Sequence, residues 1–288
     1  MLLWLRDGYE WLMNRLSKDS CFRFLVRASI LLKTRKGHWR MPVLSICCIA
    51  LASQACAIVG PAREAPEYAP YVVMVMYRGG GETSFCTASV ITRNAVLTAA
   101  HCVTGLSDTR VFYRSGEGKL IVYNVAAIAI NPDYRPKARR QNVVSIDLAL
   151  LRLSEPLPAS FKPVELAYLG PVVPGQRLRI AGFGRADEEV SGTSGVLRAG
   201  ILSAAGPKST FLLFLPDPSG SGLGGCTGDS GAPIFALDRP VLVAVAIRAK
   251  GASGYACGAS TEAVKIGPQL PWIRDTLQVW GPASPLVQ

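Results

Sequence analysis

Apolar residues in this chain come in short runs, punctuated by glycine, proline, asparagine and serine. From residue 58 onward the runs fall at 71–76, 89–91, 95–97, 111–113, 120–130, 148–153, 177–181, 195–202, 211–215, 233–237 and 241–247. Most are too short for a stable helix and rich in β-branched residues, which fit a pleated, half-buried surface. Short β-rich runs at this spacing predict an all-β protein, either a sandwich or a barrel. Run length alone leaves that choice open.

The chain has 288 residues and a net charge of +11, and the charge is unevenly placed. Residues 1–57 hold nine Lys/Arg against three Asp/Glu, and the rest hold 22 against 17. That balance is ordinary, and no periodic basic face argues for nucleic acid as a partner. The excess at the start has the layout of an export signal. Lys33, Arg35, Lys36 and Arg40 form a basic region, and an apolar stretch of ten residues follows at 43–52. The stretch is too short to span a bilayer and ends at Ala55-Cys56-Ala57, a small-x-small site suited to a signal peptidase. The expected organisation is a leader at 1–57, one folded unit at 58–280 and a tail at 281–288, in a secreted or periplasmic protein. Three alternatives stay open: an internal start such as Met13, an uncut N-terminal anchor, and lipidation of Cys56, for which Ser53-Gln54-Ala55-Cys56 lacks the usual first leucine.

Cysteine usage agrees with export. Cys21, Cys47, Cys48 and Cys56 fall in the leader, leaving Cys86, Cys102, Cys226 and Cys257. Four cysteines allow three pairings, and disulfides persist outside the reducing cytosol. The two histidines are His38, in the leader, and His101. A folded part with one histidine cannot build a multi-histidine metal centre, and Asp108 and Glu117 are only a weak signal for a calcium loop, which stays open. Neither a metal nor an organic cofactor is expected. One imidazole does suffice as a proton carrier. His101 sits in Leu97-Thr98-Ala99-Ala100-His101-Cys102, and two further segments supply Asp147-Leu148-Ala149-Leu150-Leu151 and Gly228-Asp229-Ser230-Gly231-Ala232-Pro233.

These three segments, in the order His, Asp, Ser, resemble the trypsin/chymotrypsin family of serine proteases, in an exported form of bacterial type. The subtilisin and α/β-hydrolase orders differ. The resemblance runs from about Ile58 to Trp280. It implies an all-β fold of two six-stranded antiparallel β-barrels, meeting near 154–174, with the active site between them and a short closing helix at 271–277. It also implies the pairs Cys86–Cys102 and Cys226–Cys257. Ser230 would be the nucleophile, His101 its base and then the acid for the leaving group, and Asp147 the group that orients the imidazole. The backbone N–H groups of Gly228 and Ser230 would form the oxyanion hole. Ile58-Val59-Gly60 matches the terminus that activates the family, whose ammonium pairs with Asp229. Because it follows Ala57 directly, leader removal itself would create that terminus.

Counting back from Ser230 puts Gly224 at the base of the specificity pocket, with Gly258 on its wall. With no acid there, an apolar or small side chain before the cut is expected, not lysine or arginine. The strand Ala246-Ile247-Arg248-Ala249-Lys250-Gly251 departs from the family, which has Ser-Trp-Gly here. The loop holding Arg135, Lys137, Arg139 and Arg140 borders the substrate groove by resemblance and is either solvated or selective for acidic residues. The expected function is a hydrolase, a serine endopeptidase acting on protein or peptide substrates and open to a protein inhibitor, without stable membrane insertion after leader removal. The alternative is a catalytically silent homologue that binds a partner through the same cleft.

Overall fold

The computed structural model describes residues 58–281, except 80, 142, 207, 208 and 253. The expected leader and the tail beyond 281 lie outside the described residues. A short strand, β1 (Arg63–Glu64), and a 3-10 turn at Pro66–Tyr71 lead into β2 (Val72–Gly79), β3 (Glu82–Thr92) and β4 (Ala95–Thr98). Next come β5 (Thr109–Arg114), β6 (Leu120–Ile130), a single helical turn α1 (Ala138–Gln141) and β7 (Ala149–Leu153). Strands β2 to β7 close into an antiparallel barrel in the order β2-β3-β4-β7-β6-β5.

The chain then passes to a second sheet built from β8 (Glu165–Leu166), β9 (Arg177–Gly182), β10 (Arg198–Ser203), β11 (Leu212–Pro216), β12 (Pro233–Ala236), β13 (Val241–Gly251) and β14 (Gly258–Lys265). Its order is β1-β10-β9-β12-β13-β14-β11, with β8 parallel to β13. The ladder is open, but β10 and β11 approach each other where the Ala205 N–H donates to the Phe214 carbonyl at 2.8 Å. The helix α2 (Leu270–Val279) closes the described chain, with Pro271 in its first turn and Ile273 and Leu277 buried. The architecture matches the expected all-β fold, with a full barrel, a second curled sheet and one short terminal helix.

Burial explains the run pattern. The first seven residues of β13, from Val241 to Ile247, are all buried. A strand covered on both faces reads as one apolar run instead of alternating. Leu242, Val245 and Ile247 pack into the core shared with the first barrel, while Val243, Ala244 and Ala246 fill the second sheet's own core with Leu178, Ile180 and Leu215. Tyr68 stacks on Phe235 at 5.2 Å and joins the 3-10 turn to β12. Among the described residues no helix is long and apolar enough to cross a membrane.

Candidate active site

Register brings His101 and Asp147 together. Thr98 of β4 pairs with Ala149 of β7, so the residues just past one strand and just before the other share one end of the sheet. A 3-10 turn at Ala100–Cys102 then carries His101. Its Nδ1 lies 2.7 Å from Asp147 Oδ2, and its backbone N–H donates to Asp147 Oδ1 at 2.9 Å. A carboxylate oxygen can only accept, so this contact calls for the proton on Nδ1 and leaves Nε2 outside the pair. The imidazole is about one-third exposed (34%) and the carboxylate less so (14%), which leaves the ring reachable. Tyr134 stands close by; burial and then the Asp147 charge push its phenol up.

The second sheet supplies Ser230 on a tight turn between Cys226 and β12. The Asp229 N–H donates to the Cys226 carbonyl at 3.0 Å and the Gly231 N–H to the Ala246 carbonyl at 2.7 Å. The turn is also pinned to the first barrel. The Ser230 carbonyl accepts from the Thr87 N–H at 2.9 Å, and Thr87 Oγ1 donates to the Gly228 carbonyl at 2.9 Å. Gly231 has φ +82, and a Cβ there would lie 2.1 Å from the Thr87 carbonyl, so only glycine permits this approach. Among the described residues, the N–H groups of Gly228 and Ser230 have no protein acceptor, and the Ser230 hydroxyl makes no hydrogen bond to His101.

Asp229 lies beneath this turn, 2% exposed. Its carboxylate accepts from the Gly184 N–H at 2.8 Å and the Cys226 N–H at 3.0 Å. Burial pushes its carboxyl up to about 7, and those two hydrogen bonds only partly offset the desolvation. Gly182 and Gly184 make the room, since a Cβ on either would fall within about 2.4 Å of that side chain. Ile58 is fully buried in the same core as Ala232, with φ +54, a left-handed conformation that is a strained outlier for a β-branched residue. Val59 bridges to Gly224, whose N–H donates to the Val59 carbonyl at 3.3 Å.

The disulfides pair Cys86–Cys102 and Cys226–Cys257. The first ties β3 to the turn bearing His101, across 16 residues; a loop of that size is worth roughly 3 kcal/mol in the chain-entropy model. Cys86, His101 and Cys102 cluster closely enough to suggest a metal site, but both sulfurs are already bonded to each other. Two cavities flank the second disulfide. One, of about 440 Å³, holds Ser230 and Gly228 with Phe85, Arg185 and Arg248 on its walls. The other, of about 430 Å³, is lined by Gly258 together with Asp187, Glu188, Glu189 and Asp217. A third space of about 10 Å³, directly against Ser230, is walled by Gly225, Ala249 and Thr261. Gly224, expected at the base of the specificity pocket, packs against Gly258, whose Cα a Cβ at 224 would meet at 3.1 Å. Sequence reasoning did not single out Gly225, Thr261 or Thr87; a glycine pair and a polar residue within an apolar run were their only signals.

A closed barrel and a curled sheet with a His–Asp pair on one and an elbow serine on the other define the chymotrypsin-like class. Residues 58–273 match the family model described as Trypsin, and the chain belongs to that family. It is 27% identical to chymotrypsin of Phaedon cochleariae over 62% of this chain and 68% of that protein. It is 32% identical to serine protease 28 of Mus musculus over 40% and 44%, and 25% identical to CLIP domain-containing serine protease B8 of Anopheles gambiae over 75% and 64%. The last two are thus matched over less than two thirds of their own length. These relatives are animal proteins, so the bacterial type expected above finds no counterpart among them. Among solved structures, the scabies mite inactivated protease paralogue S-I1 superposes with TM-score 0.61 at 23% identity, covering 77% of this chain and 99% of that one. Mouse neuropsin, a serine protease, superposes with TM-score 0.61 at 22% identity, covering 75% and 99%. These two establish likeness of fold.

Proposed function

We propose that this chain is an exported serine endopeptidase working through Ser230, His101 and Asp147. The observation that carries the reading is the His101–Asp147 pair at 2.7 Å, set at the edge where the Ser230 turn is pinned to the first barrel. Ser230 Oγ attacks the peptide carbonyl while its proton passes to His101 Nε2. The resulting imidazolium is held by Asp147 through Nδ1–H. Electrons from the carbonyl collect on its oxygen, where the free N–H groups of Gly228 and Ser230 receive them. His101 then returns the proton to the departing amine, leaving an acyl-enzyme that water hydrolyses by the same steps. The lack of an acid at Gly224, the expected base of the pocket, supports an apolar or small side chain before the cut.

The Ile58 terminus is the second part of the proposal. Among the described residues this buried carboxyl, pushed up to about 7, has no cationic partner, and the new ammonium at Ile58 would supply one. The left-handed strain at Ile58 exists only while a preceding carbonyl is attached. Cleavage after Ala57 therefore removes the strain and creates the charge in one event.

A second reading, a silent binding homologue, draws on Ile247 in β13, where the family has serine nearby, and on the unengaged Ser230 hydroxyl. It would parallel the mite paralogue. Intact mass before and after a fluorophosphonate separates the two. One adduct on a chain beginning at Ile58, lost in Ser230→Ala, is the expected result. No adduct on that chain would favour the silent reading, and an adduct on a longer chain would discard the terminus.

A further inference from the structure

We propose that the cleft beside Ser230 selects peptide strands carrying Asp or Glu next to the scissile bond, with Arg185 and Arg248 as the selecting residues. This deepens the protease reading and rests on it. Of the residues lining the cleft of about 440 Å³, two are cationic, Arg185 and Arg248, and none is acidic. The nearby carboxylates are already committed. Asp147 holds His101, and Asp229 is buried under two backbone N–H groups. Glu262, directly across from Arg248 in the β13–β14 register, bonds its Nη1 at 2.9 Å. That bond fixes the Arg248 head and uses one of five guanidinium donors. Arg185 is exposed; its backbone N–H donates to Thr227 at 2.8 Å, and among the described residues its guanidinium has no acidic partner.

Charge around the Cys226–Cys257 bridge is sorted. The cavity on the far side carries Asp187, Glu188, Glu189 and Asp217 and no lysine or arginine. Glu188 seals the division by accepting from the Ala256 N–H at 2.8 Å and the Cys257 N–H at 3.1 Å. A uniformly basic surface would not leave one cavity acidic and its neighbour basic. The basic one contains the nucleophile. A peptide carboxylate there meets planar donors in a partly desolvated groove, where charge-assisted bonds are strongest. In the loop that sequence singled out, Arg135 Nη1 donates to the carbonyls of Pro132 and Tyr134 within its own turn.

The test uses the chain beginning at Ile58 and peptides with alanine before the cut. Asp or Glu is compared with Asn or Gln at the residue preceding that alanine and at each of the two positions after the cut. We expect kcat/KM to favour the acid over its amide by about tenfold at one position or more at low salt, shrinking toward unity at 1 M NaCl, where the screening length is about 3 Å. Arg185→Gln and the double change Arg248→Gln with Glu262→Gln, which leaves no unpaired glutamate, should each cut the ratio at least threefold, at different positions. An enzyme that takes the fluorophosphonate yet cleaves acid and amide peptides equally overturns the proposal, as does a preference surviving both variants. If no adduct forms, the protease reading fails by itself. Binding of the same labelled peptides to Ser230→Ala then decides the inference: tighter binding of the acidic peptide supports it, and equal binding overturns it.

Discussion

The two halves of the site are built to different degrees. On the first barrel, His101 and Asp147 meet through a strand register, two hydrogen bonds and a disulfide, all within one closed ladder. On the second sheet, the Ser230 turn rests on Asp229, whose carboxylate is buried without a cation, and on Ile58 in a strained conformation. A closed barrel has no edges left to pair, so its ladder is complete within one unit. On the proposed reading, the nucleophile's half is completed by cleavage before Ile58. That reading would place control in the half that is easier to disturb, and mutation, pH and the choice of N-terminus can each break the division.

The largest effect should come from the reacting groups. Ser230→Ala or His101→Ala should each lower kcat by roughly 10⁶ and Asp147→Asn by about 10⁴, from the behaviour of such units elsewhere. The double Ser230→Ala, His101→Ala variant should lose little more than either single, since they act together. Losses of tenfold or less would mean that this His–Asp pair is structural.

Second in size is the effect of the N-terminus. Retaining one residue before Ile58, or the change Asp229→Asn, should lower kcat by about 10²–10³, comparable to loss of an oxyanion donor. The pH dependence carries its own signature. In a chain extended before Ile58, Asp229 sits at about 7, against about 3.9 unfolded. The native state then holds the proton more tightly, so stability falls as pH rises from about 4 to 7. Thermal unfolding of the extended chain should drop by roughly 10 °C over that range, and the same chain carrying Asp229→Asn should show no such drop. In the chain beginning at Ile58 the ammonium partner reverses the picture. An amine raised above its free value of about 8 contributes stability below that value and loses it as pH climbs through the raised one. Identical profiles for the two chains would dissolve the contrast between the halves.

Much of this was legible in the residues. The buried runs of β2, β4, β7 and β13 announced themselves because both faces are covered. Strand β14 did not: Gly-Ala-Ser-Thr-Glu-Ala-Val-Lys has too little apolar content to register, and it is a strand because β13 and β11 flank it. The motifs located His101, Asp147 and Ser230. Gly225, on the space against Ser230, was not singled out beside Gly224, because a run of small residues carries no marker of which one faces a cavity. Charge sorting across the Cys226–Cys257 bridge was invisible for a similar reason: Arg185 and Glu188 are three apart in sequence and line different cavities.

The smallest predicted effect tests the seam between the halves. Thr87 belongs to the first barrel, yet its hydroxyl donates to the Gly228 carbonyl at 2.9 Å and accepts from the Phe183 N–H at 3.2 Å, both on the second sheet's side. The residue is fully buried. Valine has nearly its shape and would strand both backbone groups without opening a cavity, at about 1–3 kcal/mol each. Thr87→Val should therefore lower unfolding stability by about 2–6 kcal/mol. It should also lower kcat by about tenfold, because the Gly228 peptide would lose one of its fixed contacts. Thr87→Ser keeps the hydroxyl and should restore most of the activity while losing only a methyl group's packing. A valine variant with reduced stability but unchanged kcat would show that the oxyanion peptide is held from below, by Asp229 and Gly184, and that the first barrel contributes only His101 and Asp147 to the reaction.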